Sequence, residues 1–335
     1  MEPPADHPEI PPAAIGVLVI NLGTPDAPEP AAVRRYLAQF LTDPRVIEIP
    51  WWAWRPILHG IVLRTRPKKS AHAYAQVWSE EGSPLAAITR RQAAGLQRRL
   101  GPGVKVEFAM RYGNPGIAGA IDAMVAAGCT RILAAPLYPQ YSGATTASAN
   151  DALFAALAAR RWQPALRVLP PYHDDPLYIG ALVHDLERQL AALDFAPDAL
   201  LLSFHGMPER TLRLGDPYHC HCRKTARLVA ERLRLPVEVA FQSRFGRAKW
   251  LEPATDKVLE ELPGRGVRRL AIAAPGFSAD CLETIEELGI RGRESFLAAG
   301  GSDFARLDCL NDGEAGMTML EAIARRELAG WWPAP

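Results

Sequence analysis

The sequence predicts an α/β protein built as two similar halves, each an open parallel sheet of four strands flanked by helices, with a cleft between them. Three observations lead there. Short apolar runs, rich in β-branched residues or alanine, alternate with longer amphipathic stretches, the pattern of strand–helix–strand units. After Pro170 the alternation starts again in the same order. Residues repeat too: Arg131-Ile132-Leu133-Ala134-Ala135-Pro136 is echoed by Leu270-Ala271-Ile272-Ala273-Ala274-Pro275, with the Ala-Ala-Pro triplets 139 positions apart. Val106-Glu107-Phe108-Ala109 likewise matches Val237-Glu238-Val239-Ala240, and Leu22-Gly23-Thr24-Pro25 lies opposite His205-Gly206-Met207-Pro208. Three matches in one order argue for duplicated architecture.

In the first half, the unbroken β-branched run at 15–22 is a buried strand, turned at its end by Gly23-Thr24-Pro25. An amphipathic helix follows at 31–41, with Val33, Leu37, Phe40 and Leu41 on one face. Trp51-Trp52-Ala53-Trp54 opens an apolar segment reaching Leu63, too short to span a bilayer but suited either to a hydrophobic lip or to a core helix. Gly82-Ser83-Pro84 starts a helix over 85–100. Strands are then expected at 104–110, 131–138 and 166–169, with helices at 117–127 and 146–159 between them.

The second half reads as a helix at 177–193, a strand ending at His205, a helix at 225–233, and a strand at 237–243. A helix at 251–262, a strand at 270–274, and a helix at 282–298 interrupted near Gly289 to Gly292 come next. A strand at 305–309 and a helix at 317–328 close the chain. The organisation expected is a disordered lead-in over 1–14, a first domain of 15–172 with 313–330 carrying the tryptophan-rich insertion, and a second domain of 173–312.

With 335 residues, 48% of them hydrophobic, the chain can bury a large core. Lys+Arg 38 against Asp+Glu 37, without a basic stripe, excludes a nucleic-acid binder. Five cysteines, an odd and sparse set, make a disulfide framework unlikely and suit a reducing cytoplasm. The acidic, proline-rich start has no apolar core of a signal peptide. No Gly-x-Gly-x-x-Gly or phosphate loop follows a strand, which disfavours a nucleotide cofactor.

In open α/β sheets ligands bind beyond the carboxyl ends of the strands. That rule makes His205 the first candidate for chemistry, against the plainer alternative of a histidine satisfied by a turn carbonyl. Converging strand ends would bring to it the loop 277–283, Arg111-Tyr112, and Tyr138 to Ser142. Glu283 and Glu287 share a helix face, a like-charge pair that is unfavourable unless a proton or cation lies between them. Beside a histidine, such carboxylates make an oxygen–nitrogen metal site or a proton relay. Glu286 is read as an acidic residue serving the helix dipole. His219-Cys220-His221-Cys222 lacks a second ligand cluster and is read as solvated loop.

Taken together, Asn21-Leu22-Gly23-Thr24-Pro25, Glu81-Gly82-Ser83-Pro84, Arg111-Tyr112-Gly113, Tyr138-Pro139-Gln140-Tyr141-Ser142, Leu202-Ser203-Phe204-His205, Gly215-Asp216-Pro217-Tyr218, Gln242-Ser243 and Phe277-Ser278-Ala279-Asp280-Cys281-Leu282-Glu283-Thr284 resemble the ferrochelatases, lyases that insert ferrous iron into porphyrin to make haem. The resemblance covers about 15–328 and implies a chelatase-like pair of Rossmann-like domains. It implies an inner metal site of His205 and Glu283, with Glu287 continuing the catalytic set, and porphyrin contacts at Leu22, Arg66, Ser83, Arg111, Tyr112, Tyr138 and Phe277. Iron is then a substrate and no resident cofactor is expected. Cys281 stands where other members carry histidine. Gly143 and the tail Glu327-Leu328-Ala329-Gly330-Trp331-Trp332 depart from members with a cysteine-held [2Fe-2S] cluster, so no such cluster is expected. The expected partners are a porphyrin and ferrous iron, with a monomer or homodimer and no transmembrane segment; the tryptophan lip is compatible with peripheral membrane contact. A cobalt or nickel tetrapyrrole chelatase, or a non-catalytic porphyrin or metal carrier, are the alternatives.

Overall fold

The computed structural model describes residues 13–332 apart from 245 and 247. The expected lead-in lies outside the described residues except for its last two positions, and Ala14 already belongs to the first strand. Among the described residues, eight strands form two sheets. In the first, β1 (Ala14–Gly23), β2 (Val104–Tyr112), β3 (Cys129–Pro136) and β4 (Ala165–Val168) run parallel in the order β2-β1-β3-β4. In the second, β5 (Ala199–His205), β6 (Val237–Gln242), β7 (Arg269–Ala273) and β8 (Asp303–Arg306) repeat that order as β6-β5-β7-β8. The two halves therefore share one topology, and β1 and β5 are the equivalent central strands.

The echo reaches single residues. Gly23 ends β1 opposite Tyr112, and a Cβ built there would lie 1.7 Å from the Tyr112 carbonyl oxygen. Gly206, just past β5, donates its N–H to the Gln242 carbonyl at 2.7 Å, and its Cβ would meet that oxygen at 2.5 Å. Each half thus turns its central strand against its neighbour at a position where a side chain does not fit.

One apolar cluster joins the halves. It runs from Val17, Val19 and Leu133 of the first sheet through Tyr178, Ile179 and Leu182 of the helix Pro176–Ala191 to Leu200, Leu202 and Phe204 of the second. Polar contacts cross the same interface: Gln140 donates to the Thr225 hydroxyl at 3.0 Å, which donates to the His173 carbonyl at 2.7 Å. The His173 ring stacks on that of His221 at a centroid distance of 3.5 Å. These contacts fix the relative position of the two sets of strand ends.

Two helical expectations are corrected. His219-Cys220-His221-Cys222 is not loop but the first turn of the helix Tyr218–Ala230. Asp216 accepts the Tyr218 N–H at 3.0 Å, so the chain starts its helix about two turns earlier than hydrophobic periodicity indicates. Two residues apart on a helix, exposed Cys220 and fully buried Cys222 point away from each other and cannot share a ligand. The interruption expected near Gly289 is instead a π-helix, Glu283–Gly292, continuous with the helix Arg293–Ala298.

The insertion folds as a subunit of its own over the cleft. Helices Pro30–Phe40, Trp51–Ile57 and Leu63–Val77, with the π-helix Leu58–Val62 joining the last two, bury Val33, Leu37, Trp54, Leu58 and Tyr74 against Tyr112, and Leu22 and Leu282 pack on the edge. The tryptophans divide between the two readings: Trp54 is core, its indole N–H donating to the Leu41 carbonyl at 2.7 Å, whereas Trp52 is 80% exposed.

Candidate active site

His205 stands at the carboxyl end of β5, beside the point where the strand order reverses between β5 and β7. Phe204 before it is fully buried, so strand alternation turns His205 to the opposite, half-buried face. Its Nδ1 lies 2.7 Å from the Gly206 carbonyl oxygen. A carbonyl only accepts, so Nδ1 carries the proton and Nε2 keeps its lone pair for a metal or a proton. The Phe277 ring flanks the imidazole at 6.4 Å between centroids.

Gln242, the residue paired with His205 across the β5–β6 ladder, links the histidine to the carboxylates. Its side-chain Oε1 accepts from the Ser203 hydroxyl at 2.8 Å, and its side-chain amide N–H donates to the Glu283 backbone carbonyl at 3.4 Å. Glu283 opens the π-helix and is half-buried in the same crevice. Its charge reaches several groups from the lip. Burial first, then Tyr74 and Glu283, pushes the Tyr36 hydroxyl well above the usual phenol range. Burial followed by Glu283 does the same for Tyr74, and for the Cys281 thiol. Burial lowers the Arg66 guanidinium against the opposing pull of Glu283. Electrostatics thus tie Glu283 to the buried phenols of Tyr36 and Tyr74, to the Cys281 thiol and to the Arg66 guanidinium. Glu287, one turn further on, is gripped by Ser243: the backbone N–H donates to one carboxylate oxygen at 2.9 Å and the hydroxyl to the other at 2.5 Å. Ser243 reaches both by adopting φ 64°, a left-handed conformation that only a specific local contact sustains.

Among the seven expected porphyrin contacts, Leu22, Arg66, Tyr138 and Phe277 are half-buried wall residues. The Tyr138 hydroxyl is buried and has no partner among the described residues. The polar groups of the other three are engaged within the protein. Tyr112 is fully buried and donates to Asp43 at 2.8 Å. Arg111 bonds Ser148 through Nε and pairs with the same Asp43. Burial raises the Asp43 carboxyl, but hydrogen bonds from Ser148, the Arg45 N–H and Tyr112, with Arg111 alongside, more than offset it and keep Asp43 ionised. The Ser83 hydroxyl is likewise taken, accepting from Thr24 at 2.8 Å. Buried polar atoms with partners hold a wall in place; an unpartnered one such as Tyr138 is available to a ligand. Tyr36 and Tyr74 were not singled out from sequence, and Gln242 and Ser243 entered only as a motif of the resemblance, without a role. The tyrosines look like ordinary residues of apolar helix faces, and only tertiary packing brings them to Glu283.

Two open parallel sheets of one topology, with a histidine at the end of the central strand of the second, define a chelatase-like architecture. The fold is similar to the structure of SirB from Bacillus subtilis with Fe3+, at TM-score 0.57 and 13% identity, covering 95% of this chain and 97% of that one. It is also similar to CbiX, the terminal enzyme for biosynthesis of siroheme in denitrifying bacteria, at TM-score 0.52 and 17% identity over 94% of this chain and 100% of that one. Within that architecture the sequence is specific: the family described as Ferrochelatase matches residues 14–328. Ferrochelatase of Rhizobium etli is 53% identical over 335 residues, 98% of this chain and 97% of its own, and that of Methylibium petroleiphilum is 55% identical over 321 residues, 94% and 88%. The chain belongs to the ferrochelatase family.

Proposed function

We propose that His205, through Nε2, and Glu283 form the centre at which this enzyme carries out the family's reaction, insertion of ferrous iron into a porphyrin to form haem with release of two protons. The hydrogen bond from His205 Nδ1 to Gly206 carries the reading, because it fixes the tautomer whose lone pair faces the crevice. A porphyrin is apolar on its faces, which suits Leu22, Phe277 and the lip, and carries propionates at its edge, which suit Arg66. Tyr138 offers an unpaired hydroxyl to the same ligand. Two pyrrole protons leave as iron enters; Nε2 takes or hands on a proton, and Glu283 and Glu287 carry it toward solvent. Mixing the protein anaerobically with ferrous iron and protoporphyrin or coproporphyrin should replace the free-base visible spectrum by that of haem, and the faster of the two identifies the preferred ring. An unchanged spectrum with both would sink the assignment and leave the carrier reading.

No helix among the described residues is long and apolar enough to cross a membrane. The outer lip nevertheless exposes Trp51, Trp52, Ile57 and Ile61 beside Arg55, His59 and Arg64. Aromatic and aliphatic tips among cations suit the headgroup zone of an anionic bilayer, where an apolar ring would be delivered or collected. The double variant Trp52→Ser/Ile61→Ser should bind phosphatidylglycerol-containing vesicles about tenfold more weakly in a flotation assay, by the loss of buried apolar area. Equal flotation of the two proteins would remove this role from the lip.

A further inference from the structure

The carboxylate route that begins at Glu283 ends on a residue that the iron reaction does not obviously need. Beyond Glu287 the route opens into a cavity of about 450 Å³ lined by Gln242, Ser243, Arg244, Lys249, Glu287 and Arg291. An open cavity with an acidic floor would admit hydrated divalent cations from this side as readily as it released protons. The local geometry argues otherwise. Arg291 takes both oxygens of Glu286, at 2.8 Å from Nε and 3.0 Å from Nη2, and its Nη2 stands 4.0 Å from Glu287. Ser243 occupies both oxygens of Glu287. Neither carboxylate presents an open edge, and a fixed positive charge stands beside both. Arg244 and Lys249, across the cavity, are paired with Asp256 and Glu209, so Arg291 is the cation that stands against Glu286 and Glu287.

We propose that Arg291 is a charge stopper which closes the outer end of the carboxylate route to divalent cations while leaving it open to protons, so that iron reaches His205 from the porphyrin side alone. The proposal rests on the reading of Glu283 and Glu287 as that route. A divalent ion needs several oxygen ligands with free lone pairs and is repelled by a neighbouring guanidinium. A proton needs one acceptor at a time and crosses through hydrogen bonds that Glu287 already makes. Arginine fits the task because it stays charged at every working pH and fills a carboxylate with two parallel bonds. The helix type fits too: Glu286 and Arg291 are five residues apart, an offset that faces one residue with another where the turn is of the i to i+5 kind. In an α-helix the guanidinium would reach Glu287 instead and leave Glu286 bare.

The test uses the full-length protein and Mn2+ as the probe, followed by loss of the free-ion paramagnetic signal. All chains carry His205→Ala so that the inner centre does not contribute. With Arg291 intact, titration should show no Mn2+ binding that depends on Glu287. Adding Arg291→Gln should create one site per chain, at least about tenfold tighter than any in the parent, and Glu287→Gln should erase it; Arg291→Lys should behave like the parent. A Glu287-dependent Mn2+ site in the parent, or no gain in Arg291→Gln, overturns the proposal. Should Arg291→Gln fail to fold, parent against Glu287→Gln still decides, since any difference in their Mn2+ binding is the overturning result. Iron insertion by otherwise wild-type protein and by His205→Ala, measured separately, tests the underlying centre, so the two failures are distinguishable.

Discussion

Iron insertion by His205→Ala should fall by about a thousandfold or more, with porphyrin binding within a few-fold of the parent. Losing a positioned base alone costs about 10²–10⁴ in rate, and here the same nitrogen is also proposed to ligand the metal. Binding should survive because the surfaces proposed to hold the ring do not include the imidazole: the lip packed on Leu22 and Leu282, the Phe277 face and the Arg66 charge. The strand itself should tolerate the change. His205 is the last residue of β5, half-buried, and its ladder contacts to Gln242 are backbone ones. The pair of measurements is stopped-flow haem formation and quenching of porphyrin fluorescence. A variant that inserts iron at near the parental rate, or one that loses binding in proportion to rate, contradicts the division of labour between imidazole and walls. Glu283→Gln offers the complementary comparison, because it keeps the shape and the Gln242 contact to the backbone carbonyl while removing the charge felt by Arg66.

What the sequence revealed and what it concealed divide along a physical line. Strand ends were legible because parallel strands are short, apolar and sharply terminated, so His205 could be placed at the end of its strand from order alone. The duplication was legible in the Ala-Ala-Pro echoes, which turn out to be β3 and β7 with the Pro136 and Pro275 turns at their ends. Side-chain commitments were not. Nothing local says that Tyr112 and Arg111 spend their polar atoms on Asp43, 69 and 68 positions away, rather than on a ligand. The π-helix was hidden for a similar reason: glycines at 289 and 292 suggest a break, yet Gly289 is packed so that a Cβ would touch Arg306 at 3.0 Å. Glu286, read as a helix-start acid, is buried and paired with Arg291, a contact that exists only in the wider turn.

Gly23→Ala should be among the most damaging single-methyl changes available to this chain, lowering stability by about 4 kcal/mol or more and abolishing iron insertion at moderate temperature. Two separate penalties combine at that residue. Its φ of 112° is one that side-chain-bearing residues rarely adopt, and the added Cβ would sit 1.7 Å from the Tyr112 carbonyl oxygen and 2.7 Å from its carbon. Relief would require moving backbone against backbone. Neither side can give: Gly23 is the last rung of the β1–β2 ladder, while Tyr112 is fully buried and tied through its hydroxyl to Asp43 and Ser148. The next residue is held as well, with Thr24 bonded to Ser83 and Gly113 pressed against the Thr24 carbonyl, 2.5 Å from where its own Cβ would be. Any shift would carry Leu22 away from the lip. Gly82→Ala is the matched control. It too has positive φ, 96°, but nothing lies within 4 Å of its Cβ, so backbone strain of about 1–2 kcal/mol is the whole cost. Urea midpoints of the two variants separate the effects, since a clash against fixed backbone adds to strain whereas strain alone would place both at the same midpoint. Equal midpoints would mean that the β1–β2 junction can relax, and that the close approach at Gly23 does not fix the first strand end.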